Sequence, residues 1–254
     1  MKRERRVRQI QGLRFRGKRP AWNYRIHQGV GASYMGNRVV FFDVDSVLLD
    51  SLEGHLKVCE NLNRRFGLGL TIPSPEVFRA LVRTGKRISP MRDFFLAVGF
   101  PPERAIEADE YYQREFNRIY PSSPFCGVSE MLICLSQAGV VLGLVTSNIQ
   151  ANVEAALGPN WKLFAPRCRF TFDHPHGLTK SGALRTGAQE MGVTCRSMLY
   201  VGDQPADYVA AQQAGTGFLG VTYGWGITQE DRDFTTADSP KNIVEYILNE
   251  AFHE

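Results

Sequence analysis

From residue 38 onward the apolar positions follow two alternating periods, and those periods define the elements. "RVVFFDV", residues 38–44, is apolar almost without a break, the pattern of a short parallel strand covered on both faces. Residues 51–66 switch to helical spacing, with Leu52, Leu56, Cys59, Leu62 and Phe66 on one stripe and Asp50 or Ser51 as the N-cap. Three further helical stretches follow at 75–82, 89–98 and 102–120, punctuated by Gly85, Gly99, Pro101 and Pro121, with no convincing strand between 51 and 125.

Beyond that block the two periods alternate again. Helices are predicted at 127–139, 149–157, 180–192, 205–215 and 240–252, and strands at 140–145, 168–172, 197–203 and 216–223. Strand–helix alternation interrupted by pure helix predicts an α/β, doubly wound, Rossmann-like parallel sheet with a small helical domain inserted after its first strand. The expected organisation is a basic extension over 1–37, a core over 38–50 and 126–254, and a helical cap over 51–125.

Composition changes this picture in one place. With 43% hydrophobic and 22% charged residues the chain is ordinary globular material, and no apolar run approaches the roughly 18 residues of a membrane span. Five widely spaced cysteines without a C-x-x-C pair predict free thiols in a reducing, cytoplasmic compartment. The net charge of +4, however, is segregated: residues 1–38 hold eleven Lys or Arg against Glu4 alone, leaving an acidic remainder. This arm lacks the apolar stretch of a secretory signal. Its readings are a basic arm for nucleic acid or acidic surfaces, an Arg-rich organellar leader poor in Ser, or an extension without catalytic importance. The last is preferred, because translation from Met35 would still supply the whole core.

Candidate chemistry gathers at the strand ends, where open α/β sheets place their reactive groups. Asp43 and Asp45 follow the first strand; Thr146, Ser147 and Asn148 follow "VVLGLV"; Gly202 and Asp203 follow "SMLYV". Asp207 lies one helical turn beyond Asp203, and Lys180 opens a helix. Carboxylates crowded at the end of a buried strand repel one another and lose hydration. A hard divalent cation such as Mg²⁺ offsets that cost, binding one or two carboxylates together with water and phosphate oxygens.

These residues resemble the haloacid dehalogenase superfamily of phosphohydrolases. Its D-x-D-x-[TV]-[LV] motif stands as "DVDSVL" at 43–48, its strand-ending Thr or Ser as Thr146, its lone Lys as Lys180, and its G-D-x-x-x-D as "GDQPAD" at 202–207. Order and spacing agree over about 38–250, and the closest likeness is to phosphoglycolate phosphatase-like members with a four-helix cap. Ser46 stands where that pattern carries Gly, and Ser181 where it carries Pro.

The resemblance implies a role for each position. Asp43 would attack phosphorus and form an aspartyl-phosphate. Asp45 would protonate the leaving alkoxide and then take a proton from water. Mg²⁺ would be held by Asp43, the Asp45 carbonyl and Asp203, with Asp207 on metal-bound water or orienting Lys180. Thr146, with Ser147 and Asn148, would hold the phosphoryl group, and Lys180 would neutralise it.

Structural readings stand beside these. "TSN" is also a good helix N-cap, and a lysine is ordinarily solvated, although a cation at a helix start opposes the macrodipole. In the cap loop, Arg83, Lys86 and Arg87 either grasp an anionic group on the substrate or form a solvated basic turn. His55, His174 and His176 have no metal-ligand spacing and are read as surface or turn residues.

Three functions are carried forward: a magnesium-dependent phosphatase of a small metabolite such as 2-phosphoglycolate, a sugar phosphomutase of the same fold, and a non-catalytic binding protein. The presence of every motif disfavours the third. The expected partner is a small phosphorylated metabolite, not a membrane or nucleic acid, with a monomer or dimer as the assembly.

Overall fold

Six short strands set the frame. The computed structural model describes residues 38–175, 177 and 179–252; the N-terminal extension and His176 lie outside them. Strands β1 (Val39–Phe42), β4 (Val141–Val145), β5 (Phe164–Phe170), β6 (Met198–Gly202), β7 (Gly217–Val221) and β8 (Thr235–Ala237) form one sheet in the order β5-β4-β1-β6-β7-β8. Every pairing in it is parallel. Strand β1 is central and fully buried, which explains its unbroken apolar run.

Helices α7 (Lys180–Met191) and α8 (Pro205–Ala214) pack side by side over the face that takes Val39, Phe41 and Tyr200. Val40 and Phe42 point to the opposite face by strand alternation. There α5 (Val128–Gln137) and α9 (Pro240–Asn249) pack as a second pair. The sheet is therefore doubly wound. Strand β5 begins earlier than its "CRFTF" pattern suggests, and β8 is a strand that periodicity did not reveal, being three residues long.

After β1 the chain enters a two-stranded antiparallel ribbon, β2 (Leu49–Asp50) with β3 (Ser123–Pro124), through which it also returns. Between these strands run α1 (Leu52–Phe66), α2 (Pro75–Arg83), α3 (Met91–Val98) and α4 (Pro102–Ile119). They share an apolar core of their own, in which Leu56, Leu62, Phe78, Phe94 and Phe116 are buried. Trp225, from the loop after β7, is buried in that same core. The N-cap position of α1 is Ser51, but its hydroxyl makes no cap bond. Its carbonyl instead accepts from both the backbone and the ring of His55.

The segment between β1 and β2 contains the one positive φ outside glycine among the described residues. Ser46 is buried at φ +63, the left-handed region that costs an ordinary residue about 1–2 kcal/mol. A glycine there would adopt the same turn without that strain.

Helix α6 (Gln150–Leu157) starts later than the "TSN" reading allows, with Ile149 at its N-cap. Thr146 Oγ1 accepts from the Asn148 N–H at 3.1 Å, and Asn148 Oδ1 accepts from the Ile149 N–H at 2.9 Å. These local side-chain bonds keep residues 146–149 out of the helix. All five cysteines are free, and among the described residues no helix is long and apolar enough to cross a membrane.

Candidate active site

At the carboxyl ends of β1 and β6 lies a buried ionic cluster. Asp43 directly follows β1; its Oδ1 accepts from the Val44 N–H at 2.8 Å and its Oδ2 from Lys180 Nζ at 2.7 Å. Lys180 also donates to Asp207 Oδ1 at 2.7 Å. Helix α7 presents it from its first residue because the Thr179 hydroxyl caps the helix by accepting from the Gly182 N–H. Burial alone would lower the Lys180 pKa, but the charges of Asp207 and Asp43 outweigh it and raise the pKa. The ammonium is therefore a fixed positive charge.

The fourth motif is held by reciprocal bonds. Asp207 Oδ2 accepts from the N–H groups of Asp203 and Gln204, closing a capping box at the start of α8, while Oδ1 also accepts from the Tyr200 hydroxyl. Both oxygens of Asp207 are thus committed. Gly202 is required here because a Cβ would press on the Asp207 side chain. Asp203 is fully buried; its Oδ2 accepts from the Trp225 N–H at 2.7 Å, and its Oδ1 has no hydrogen-bond partner among the described residues. Burial, then the charges of Asp207 and Asp43, raise its pKa. Gly224 lets the loop approach this closely, since a Cβ there would collide with the Asp203 carboxylate.

Asp43, Asp203 and Asp207 each offer an oxygen within 4.8 Å of the others. With Lys180 the only cation paired to these three buried carboxylates among the described residues, and with Asp203 Oδ1 unpartnered there, the donor set is hard, anionic and short of one cation. It fits a small divalent ion such as Mg²⁺. Among the described residues Asp203 has the one unpartnered oxygen of the three and Asp43 carries a single bond on each of its own, whereas Asp207 accepts two on each and suits an orienting role toward Lys180.

Asp45 is placed differently. It is half-buried, its Oδ2 accepts from Asn148 Nδ2 at 3.1 Å, and its Oδ1 is without a partner among the described residues. Asn148 reaches across to the α1–α4 helices as well, donating to the Tyr112 hydroxyl at 3.2 Å. That hydroxyl lies 3.1 Å from His55 Nε2, and His55 Nδ1 lies 2.6 Å from the Ser51 carbonyl. A carbonyl can only accept, so Nδ1 carries the proton and Nε2 accepts from Tyr112. His55 is consequently buried and fully engaged, which corrects its reading as a surface or turn residue. Burial lowers its pKa and outweighs the nearby Asp45 charge.

A cavity of about 40 Å³ is bordered by Asp43, Asp45, Thr146, Ser147, Asn148 and Lys180 on one side. On the other stand His55, Ile88, Ser89, Met91, Tyr112 and Trp225. Ser89 Oγ donates to Ser147 Oγ at 2.5 Å, joining the two sides. Arg83, Lys86 and Arg87 are exposed and do not line this cavity. Arg87 turns away to pair with Asp93 and to donate to the Ser89 carbonyl.

The sequence reading missed His55, Tyr112, Trp225 and Ser89. Two left a signal: His55 lies on the α1 stripe three residues from Leu52, and Tyr112 on the α4 stripe with Ala105, Ala108 and Phe116. Replacing Tyr112 with Phe should lower stability by about 1–3 kcal/mol, since it leaves the buried His55 Nε2 without its donor. Urea titration checks this, and an unchanged midpoint would contradict the network.

Comparison with known proteins agrees with this geometry. Residues 40–221 match the model of the haloacid dehalogenase-like hydrolases. A phosphoglycolate phosphatase from Xanthomonas campestris pv. campestris is 30% identical, over 76% of this chain and 87% of its own. An N-acetylmuramic acid 6-phosphate phosphatase from Pseudomonas aeruginosa is 23% identical, over 83% and 94% respectively. Among solved structures, a haloacid dehalogenase-like family hydrolase from Streptococcus pneumoniae superposes with a TM-score of 0.66 at 20% identity, covering 83% of this chain and 98% of its own. With the matched model spanning most of the chain and the site standing at the strand ends, this protein belongs to the haloacid dehalogenase-like hydrolase family.

Proposed function

We propose that this chain is a magnesium-dependent phosphatase acting on a small phosphorylated metabolite through an aspartyl-phosphate intermediate. The observation that carries the reading is the unequal pair Asp43 and Asp45 on one cavity: the first is buried and clamped by Lys180, the second half-buried with a free oxygen. Relatives named as phosphatases support the same class.

An Asp43 oxygen attacks phosphorus, forming the O–P bond as the bond to the leaving oxygen breaks. Asp45, whose Oδ1 has no hydrogen-bond partner among the described residues, passes a proton to the departing alkoxide. Asp45 then takes a proton from water as it attacks phosphorus, and the Asp43–phosphorus bond breaks to release phosphate. The Thr146 oxygen accepts from Asn148, which leaves its own proton to donate to a phosphoryl oxygen. Lys180 neutralises developing negative charge while holding Asp43 in place. When bound by Asp43 and Asp203, Mg²⁺ would supply charge neutralisation that lets dianionic phosphate approach a carboxylate. The α1–α4 helices serve as a lid that excludes water, with the β2–β3 ribbon as its hinge.

A phosphate-release screen over phosphorylated metabolites tests the reading, with Asp43→Asn as the blank; full turnover in EDTA would sink it. A stability measurement adds a sign. Burial, reinforced by Asp207 and opposed by Lys180, raises the Asp43 pKa to about 7. A carboxylate whose folded pKa exceeds its unfolded value costs stability that grows as pH rises from about 4 and is complete above the folded pKa. Mg²⁺ relieves that cost, and at lower pH it must displace a proton to bind. The rise in Tm on adding Mg²⁺ should therefore be larger at pH 8 than at pH 6. An equal or smaller rise at pH 8 would contradict the assignment.

A further inference from the structure

One loop touches Asp203, the hinge ribbon and the lid core together. Residues 222–227 leave β7 and run against Asp203. Three successive N–H groups of this loop are bonded to that one residue. Trp225 donates to Asp203 Oδ2 at 2.7 Å, while Gly226 and Ile227 donate to the Asp203 backbone carbonyl at 3.1 and 2.9 Å. Gly224 and Gly226 make the approach possible. A Cβ on the first would collide with the Asp203 side chain, and one on the second would lie 2.9 Å from Val82 Cγ1 in lid helix α2.

The two aromatic side chains of the loop anchor it in different places. The Tyr223 hydroxyl donates to the Val47 carbonyl at 2.9 Å, and its ring lies edge-on to Phe125, which follows β3, at 5.0 Å. Trp225 enters the lid core instead, where it is buried against the rings of His55, Phe78 and Phe94 at 5.4, 5.7 and 6.0 Å between centroids. Asp203 thus takes its orientation from a backbone anchored in the ribbon on one side and in the lid on the other.

We propose that Trp225 is a positioning residue that couples the lid to the metal site: with the indole seated in the lid core, Asp203 is held ready for Mg²⁺, and bound Mg²⁺ in turn favours the docked lid. The inference goes beyond the phosphatase reading but rests on the metal site and the lid which that reading names.

Preorganisation supplies the mechanism. The Trp225 N–H fixes Asp203 Oδ2, while Oδ1 has no partner among the described residues. A carboxylate already held in one orientation loses little freedom when it binds a cation, so affinity depends on how firmly its neighbours hold it. Those neighbours are the N–H groups of residues 225–227, and the apolar surroundings of the indole keep them in place. A lid that moves away exposes the indole and releases the loop backbone. Linkage makes the effect mutual, because whatever the docked lid adds to Mg²⁺ binding, Mg²⁺ adds to lid docking.

The test measures Mg²⁺ dissociation constants by titration calorimetry on the full chain without substrate. Trp225→Ala should weaken Mg²⁺ binding by about tenfold, within the range of linked sites. Phe78→Leu alters a ring against Trp225 that does not line the cavity, and it should weaken binding by about fivefold. Phe100→Leu lies in the same lid core with its ring on Phe95 at 5.3 Å; it should lower Tm but leave Mg²⁺ binding unchanged. Amide hydrogen exchange reads the reverse direction: Mg²⁺ should slow exchange across α1–α4 in the parent chain but not in Trp225→Ala. Should Trp225→Ala fail to fold, Phe78→Leu and Phe100→Leu carry the comparison. Mg²⁺ binding unchanged in Trp225→Ala and Phe78→Leu, or weakened equally by Phe78→Leu and Phe100→Leu, would overturn the coupling and leave the phosphatase reading standing. Lid exchange that Mg²⁺ does not slow in the parent chain would do the same. A parent chain that binds no Mg²⁺ would overturn both.

Discussion

Replacing Asp43 with Asn should reduce phosphate release by about ten-thousandfold or more, the scale on which removal of a nucleophile is felt. The fold should survive, because Lys180 keeps its 2.7 Å bond to Asp207 and the Asn side chain still has an oxygen to accept from Val44. The replacement also removes a carboxylate that burial pushes up to about 7. Far-UV circular dichroism and Tm would show whether the fold persists. Activity within tenfold of the parent in a folded variant would remove Asp43 from the chemistry.

Lys180→Met should have the second-largest effect, on rate and on stability together. The side chain keeps its length but leaves Asp43 and Asp207 facing each other without a cation. Removing one charged donor from a preorganised site costs about 10²–10³ in kcat. Breaking a buried ion pair costs about 3–5 kcal/mol. The pH sign follows from Asp43: without Lys180, which lowers its pKa, the carboxylate takes up a proton more readily. The deficit should be complete above the folded pKa and shrink as pH falls through it. A Tm series from pH 5 to 8 checks the trend, and a deficit that grows toward low pH would contradict it.

The frame was legible because it depends on short-range patterns. An unbroken apolar run reads as a buried parallel strand, and helical stripes read as helices, whatever they later touch. Asp43, Asp203, Asp207 and Lys180 could be foreseen as neighbours because strand ends in a parallel sheet share one edge. What the sequence concealed depends on contacts between distant segments. Tyr112 meets His55 across 57 residues, and Asn148 meets Asp45 across 103. His55 lies on the apolar stripe of α1, but its polar type argued for the surface, and only the Ser51 carbonyl and the Tyr112 hydroxyl make its burial possible. Arg83, Lys86 and Arg87 announce charge without direction; the loop turns them outward while Ile88 and Ser89 face the cavity. At Thr146 the local side-chain bonds displaced the helix start that composition alone suggested.

The account turns on a covalent bond to Asp43, and that bond can be caught. In Asp45→Asn, acetyl phosphate needs no proton to leave, so the first step proceeds, while the second lacks the base that activates water. Acid quenching during turnover, followed by borohydride reduction and peptide mass mapping, should find homoserine at position 43 in the presence of Mg²⁺ and unmodified aspartate in EDTA. Phosphate release from this variant with no modification at position 43, or with the modification at any other residue, would contradict the account.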